Sequence, residues 1–155
     1  MSAPRKNRVV GDFSAAATGD KTIRLKELRG KNIVIYFYPK DSTPGCTTEG
    51  RDFSALHTNF KRLDTVILGV SRDSIASHEK FRDKQGFKFD LLSDPDEVLC
   101  RKFDVIHEKT LYGRKFMGVV RSTFLIDTNG KLRQEWRGVK VKGHAEAVLE
   151  AVKAL

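Results

Sequence analysis

The sequence predicts an α/β fold, a mixed sheet core flanked by helices on both faces, and three observations lead there. Two apolar runs, residues 33–38 and 65–70, lack the polar alternation of a half-exposed strand and read as buried strands. Each run is followed by helix-start residues and then apolar positions at helical spacing, so strand and helix alternate along the first half of the chain. The third observation is size. At 155 residues, 39% hydrophobic and 32% charged, the chain suits one domain with its own core.

Taken in order, the basic residues 1–10 read as a flexible tail, and Gly11, Asp12 and Phe13 open the fold. Residues 21–25 alternate like a short edge strand after a Gly19-Asp20 turn, and residues 26–30 suit a single helical turn ended by glycine. The first buried strand is stopped by Pro39 and then Pro44-Gly45. Phe53, Leu56 and Phe60 share one helical face beyond it, which puts Cys46 in the first turn of a helix. After the second buried strand, Ser74 offers an N-cap for a helix reaching Gln85, with Gly86 as its stop. Residues 89–92 form a short strand. Asp94, Pro95 and Glu97 then suit a cap, a first helical position and a capping-box acid for a helix carrying Leu99, Cys100 and Phe103. A basic segment, 107–117, contains a Tyr112-Gly113 turn. Residues 119–126 and 132–137 form a hairpin about Asp127-Thr128-Asn129-Gly130, and a last helix follows Gly143, carrying Val148, Val152 and Leu155.

Composition excludes several classes of function. No apolar run is long enough to span a bilayer, and the amino terminus lacks a signal-type apolar core, so the expected compartment is the cytosol with no membrane partner. Two cysteines make no disulfide framework. The net charge of +9 raises the question of a polyanion, but the basic residues are scattered and no specific nucleic-acid partner is expected. His57, His78, His107 and His144 lack metal-ligand spacing, and no glycine-rich phosphate loop follows a strand, so neither metal nor cofactor is expected.

Cys46 is the candidate reactive group. A helix amino terminus, partial exposure at a strand end and cations supplied from elsewhere in the chain are the conditions that favour a thiolate. Pro39, Thr43 and Cys46 stand at the spacing of the peroxiredoxin motif, and the surrounding run Tyr38-Pro39-Lys40-Asp41-Ser42-Thr43-Pro44-Gly45-Cys46-Thr47-Thr48-Glu49 resembles the bacterioferritin-comigratory (Bcp/PrxQ) branch of that family. Val70-Ser71-Arg72-Asp73-Ser74, Leu91-Leu92-Ser93-Asp94 and Arg121-Ser122-Thr123-Phe124 are similar to the same branch, so the likeness runs from about Gly11 to the carboxyl terminus.

The resemblance implies a thioredoxin-like fold and a peroxidase acting on hydrogen peroxide and alkyl hydroperoxides. In it Cys46 would attack the peroxide and become a sulfenic acid, Thr43 would hold the peroxide, Pro39 would shield the pocket, and Arg121 would bring a permanent positive charge to the thiolate. Glu49 reads first as an acid complementing the helix dipole and second as a residue assisting this network. The pattern departs from the branch at the resolving cysteine: the position five residues after Cys46 is Arg51, and the helix of residues 74–85 holds no cysteine. Cys100 is the remaining sulfur, at the edge of an apolar helical face, and is read either as structural or as a resolving cysteine that reaches Cys46 after local unfolding. With the structural reading, an external thiol such as thioredoxin, glutaredoxin or a small thiol recycles the enzyme, and a monomer is expected. The competing class, a thioredoxin-type exchange protein, wants a second thiol where Glu49 stands.

Overall fold

The computed structural model describes residues 3–155; Met1 and Ser2 of the expected tail lie outside the described residues. A first hairpin joins β1 (Ser14–Ala17) to β2 (Lys21–Arg24), with a 3-10 turn at Leu25–Leu28. β3 (Asn32–Phe37) leads to α1 (Pro44–Ala55) and α2 (His57–Arg62), then β4 (Thr65–Ser71) leads to α3 (Ile75–Gln85). β5 (Asp90–Ser93) and α4 (Val98–Lys102) precede a hairpin of β6 (Ile106–Leu111) and β7 (Arg114–Val119). β8 (Ser122–Ile126), β9 (Leu132–Arg137) and α5 (His144–Lys153) complete the chain.

Seven strands form one mixed sheet in the order β2-β1-β5-β4-β3-β8-β9, with β3, β4 and β5 parallel and the outer pairings antiparallel. Its central strands are buried on both faces, which explains why they read as unbroken apolar runs. The two faces carry separate cores, as the alternation of side chains along a strand requires. Ile33, Ile35, Phe37, Leu68 and Val70 join Leu99, Cys100 and Phe103 of the α4 segment on one side. Val34, Tyr36, Tyr38 and Ile67 join Cys46, Phe53, Phe60, Phe81 and Val148 of α1, α2, α3 and α5 on the other.

Local signals place several elements as the sequence predicts. Ser74 caps α3 by accepting from the Ser77 amide at 3.2 Å, and Gly86 ends it in the left-handed conformation at φ 68°. Other elements differ. The basic amino-terminal segment is held rather than free over residues 7–10: Asn7 and Val10 donate to the Leu132 and Gly130 carbonyls, and Val10 is buried. Asp94 does cap, but from a distance. Its carboxylate accepts from the amides of Leu99 and Cys100, and Pro95 falls in a turn before α4 starts at Val98. The basic segment around Tyr112-Gly113 forms the two-stranded β6–β7 hairpin, its two turn residues both at positive φ, which matches the twist of a tight hairpin.

Candidate active site

β3 ends at Phe37, and Tyr38 is still tied to the sheet through its amide and the Val70 carbonyl. Half-buried Pro39 then breaks the ladder, and the chain turns through Asp41 and Ser42 into α1. Thr43 occupies the N-cap position and Pro44 the first helical position, where its missing N–H costs nothing. The Thr43 hydroxyl donates to the Lys40 carbonyl at 2.8 Å, closing the turn, while its own carbonyl accepts from the Thr47 amide at 2.9 Å. Cys46 is therefore the third residue of α1. It stands in the first turn, at the positive pole of a three-turn helix.

Arg121 reaches this helix from the opposite end of the sequence. It stands one residue before β8, whose Ser122 pairs with Phe37, so the antiparallel register carries Arg121 to where β3 hands over to the cysteine turn. Its backbone is held on both sides: the Val120 amide donates to the Val105 carbonyl and the Val139 amide to the Arg121 carbonyl. The guanidinium forks. Nη2 approaches Cys46 Sγ at 3.4 Å, and Nη1 donates to Glu49 Oε1 at 2.6 Å. Burial alone would weaken the Arg121 charge, but Glu49 and Cys46 outweigh it and hold the cation more firmly than usual.

Two expectations change here. The thiol is not partly exposed at a strand end: Cys46 is 2% exposed, packed with Tyr36, Phe53 and their neighbours. Glu49 does more than complement the helix dipole: it pairs with Arg121. It is buried, its Oε2 has no hydrogen-bond partner among the described residues, and burial raises its pKa to about 7 against the opposing pull of Arg121. The signal for this was its spacing. A residue three after Cys46 shares the cysteine's face of the helix and so meets the same arginine.

A second group escaped the sequence reading altogether. The Asp41 carboxylate is buried and takes hydrogen bonds from Tyr38, Ser77 and His78. Asp41, Asp73 and His78 bring their ligand atoms within 4.8 Å of one another, so among the described residues they are the set able to hold a metal, although each of those atoms already has a partner in this chain. Cys100 lies apart from all of this. It is fully buried in the core on the other face of the sheet, and burial, with the Asp94 carboxylate beside it, pushes its thiol beyond the range where a thiolate forms.

A model of the AhpC/TSA family matches residues 7–135, most of this chain. A peroxiredoxin Bcp from Xanthomonas campestris is 56% identical over 143 residues, covering 92% of this chain and 89% of its own. The chain belongs to the AhpC/TSA family, as a Bcp/PrxQ peroxiredoxin. The fold agrees with solved relatives of this peroxiredoxin. The bacterioferritin comigratory protein of X. campestris, studied for its alkyl peroxide reduction activity, superposes with a TM-score of 0.88 at 55% identity, over 92% of this chain and 90% of that one. A PrxQ mutant from Xylella fastidiosa gives 0.93 at 43% identity, over 99% and 98%. The peroxiredoxin fold is thus thioredoxin-like, with its mixed sheet between helices. Peroxiredoxins are thiol-dependent peroxidases, and a single sulfur of this one stands beside a permanent cation.

Proposed function

We propose that this peroxiredoxin reduces hydrogen peroxide and alkyl hydroperoxides through Cys46 and is recycled by an external thiol. The fork of Arg121 between Cys46 Sγ and Glu49 is the observation that carries the reading. A permanent cation with one hydrogen-bond donor on the sulfur stabilises the thiolate and then the charge that builds on the leaving oxygen. The thiolate attacks the distal peroxide oxygen: an S–O bond forms, the O–O bond breaks, sulfur loses two electrons, and the leaving alkoxide or hydroxide takes a proton to become alcohol or water. Thr43 holds the peroxide from the turn three residues ahead of the sulfur. Pro39, without an N–H donor, shields the pocket from competing water.

The second half of the cycle needs a thiol from outside. Cys100, deeply buried across the sheet and strongly disfavoured as a thiolate, is read as a structural residue. A thiol of thioredoxin, glutaredoxin or a small molecule attacks the sulfenic sulfur, releasing water and giving a mixed disulfide. A second thiol then frees Cys46. The expected setting is a monomer in the cytosol.

Intact mass after one equivalent of peroxide tests both halves. A gain of one oxygen atom that Cys46→Ser abolishes is the expected result. Loss of two hydrogens would mean a Cys46–Cys100 disulfide and overturn the external-thiol route, and an unchanged mass would overturn the peroxidase reading.

A further inference from the structure

His78 of α3 is completely buried and has no part in the cycle above. Its Nε2 lies 2.8 Å from the Leu92 carbonyl oxygen and its Nδ1 lies 2.7 Å from Asp41 Oδ2. A carbonyl oxygen only accepts. The Asp41 carboxylate also accepts, from the Tyr38 hydroxyl at Oδ1 and the Ser77 hydroxyl at Oδ2, each at 2.7 Å, and these bonds with His78 outweigh burial to keep it ionised. The His78 ring thus bridges the Asp41 carboxylate and the Leu92 carbonyl inside the core. Tyr38 stays a neutral donor, because burial and then Tyr36 and Asp41 push its phenol well above the usual range.

A buried polar network whose members are all hydrogen-bonded fixes geometry. What this one fixes is the turn that leads to Cys46. The Asp41 amide donates to Asp73 Oδ2 at 2.9 Å, so backbone and side chain of Asp41 are both tethered to the segment after β4 and to α3. Around Asp41, the Thr43 hydroxyl bonds back to the Lys40 carbonyl, and Ser42 is held at φ +63°, a conformation that a serine leaves when nothing holds it. Tyr38 joins the same carboxylate from the strand side.

We infer that His78 is a positioning residue for the peroxide step: through Asp41 it holds the Lys40–Thr43 turn in the conformation that presents Thr43 to the peroxide at the mouth of α1. The inference rests on the reading of Cys46 as the attacking sulfur. It separates two properties of the site. Thiolate chemistry at Cys46 depends on Arg121, across the pocket, whereas peroxide orientation depends on the turn.

The test compares two reactions of Cys46 in the wild type, His78→Phe and Asp41→Asn, with thermal melts to verify folding. One is single-turnover oxidation by hydrogen peroxide and the other is alkylation by iodoacetamide, which needs the thiolate but not a positioned peroxide. Oxidation should slow by about 100-fold, the scale expected when a positioned group moves by about 1 Å, while alkylation changes by less than about twofold. His78→Gln, which retains one donor, should fall between His78→Phe and wild type. Oxidation at the wild-type rate in folded His78→Phe and Asp41→Asn would overturn the inference alone, as would equal losses in oxidation and alkylation, which mark a merely structural pair. If His78→Phe does not fold, the nearly isosteric Asp41→Asn decides by the same comparison. Continued peroxide consumption by Cys46→Ser would instead remove the reading of Cys46, and the inference with it.

Discussion

The guanidinium of Arg121 does two things at one carbon's distance, each through its own nitrogen. One arm meets the sulfur and the other meets the Glu49 carboxylate, so the glutamate aims the arginine as well as balancing it. A lysine would keep the charge but replace two spaced nitrogens in a fixed fork by a single one. Arg121→Lys should therefore fold normally and oxidise Cys46 about 10- to 100-fold more slowly, the cost of losing one or two charge-assisted hydrogen bonds, as read by stopped-flow peroxide consumption. Recovery of the wild-type rate in that variant would show that charge alone suffices. Gly45 belongs to the same arrangement. A Cβ there would lie 3.2 Å from Arg121 Nη2, so the bare backbone leaves the arm room to reach Cys46.

At the scale of elements, α1 owes its position to close packing. A Cβ on Gly50 would stand 2.3 Å from the Phe87 ring, itself stacked on Phe89, so the helix can press against this aromatic group only where a side chain is missing. Gly50→Ala should destabilise the fold by about 1–3 kcal/mol despite the better helix propensity of alanine, measured by urea unfolding; a more stable variant would contradict the packing described. Sequence reading succeeds where an element's cause is local. β3 and β4 are legible because they are buried on both faces, and α3 because Ser74 and Gly86 close it at each end. It fails where the cause is distant. The strand predicted over residues 119–126 is two strands with Arg121 between them, because pairing with β6 ends at Val119 and pairing with β3 begins at Ser122. In the site, Cys46, Thr43, Pro39 and Arg121 come from a motif and a resemblance. Asp41 and His78 come together only through folding, 37 positions apart, and no spacing announces them.

In the molecule as a whole, two buried titratable groups set opposing pH dependences. Burial raises Glu49 from 4.5 to about 7, so its contribution to stability is full below pH 4.5 and is lost as pH rises through 7. Burial and then Arg121 lower His144 from 6.5 to about 4, so its contribution is full above pH 6.5 and is lost as pH falls through 4. Each displacement is worth about 3 kcal/mol, and the two largely offset each other between pH 4.5 and 6.5. Glu49→Gln removes one side of the balance. The stability difference between variant and wild type should be near zero at pH 4.5 and grow in the variant's favour toward pH 8, measured by urea unfolding across that range; a difference independent of pH would refute the assignment. The hydrogen-bonded register also bears on how the protein can be engineered. β8 takes its alignment from β3 and β9, not from the β6–β7 hairpin that precedes it, and the tip of that hairpin at Tyr112 is 96% exposed. A reporter sequence or affinity tag spliced between Tyr112 and Gly113 lengthens only the tip, and Arg121 keeps its place over the sulfur.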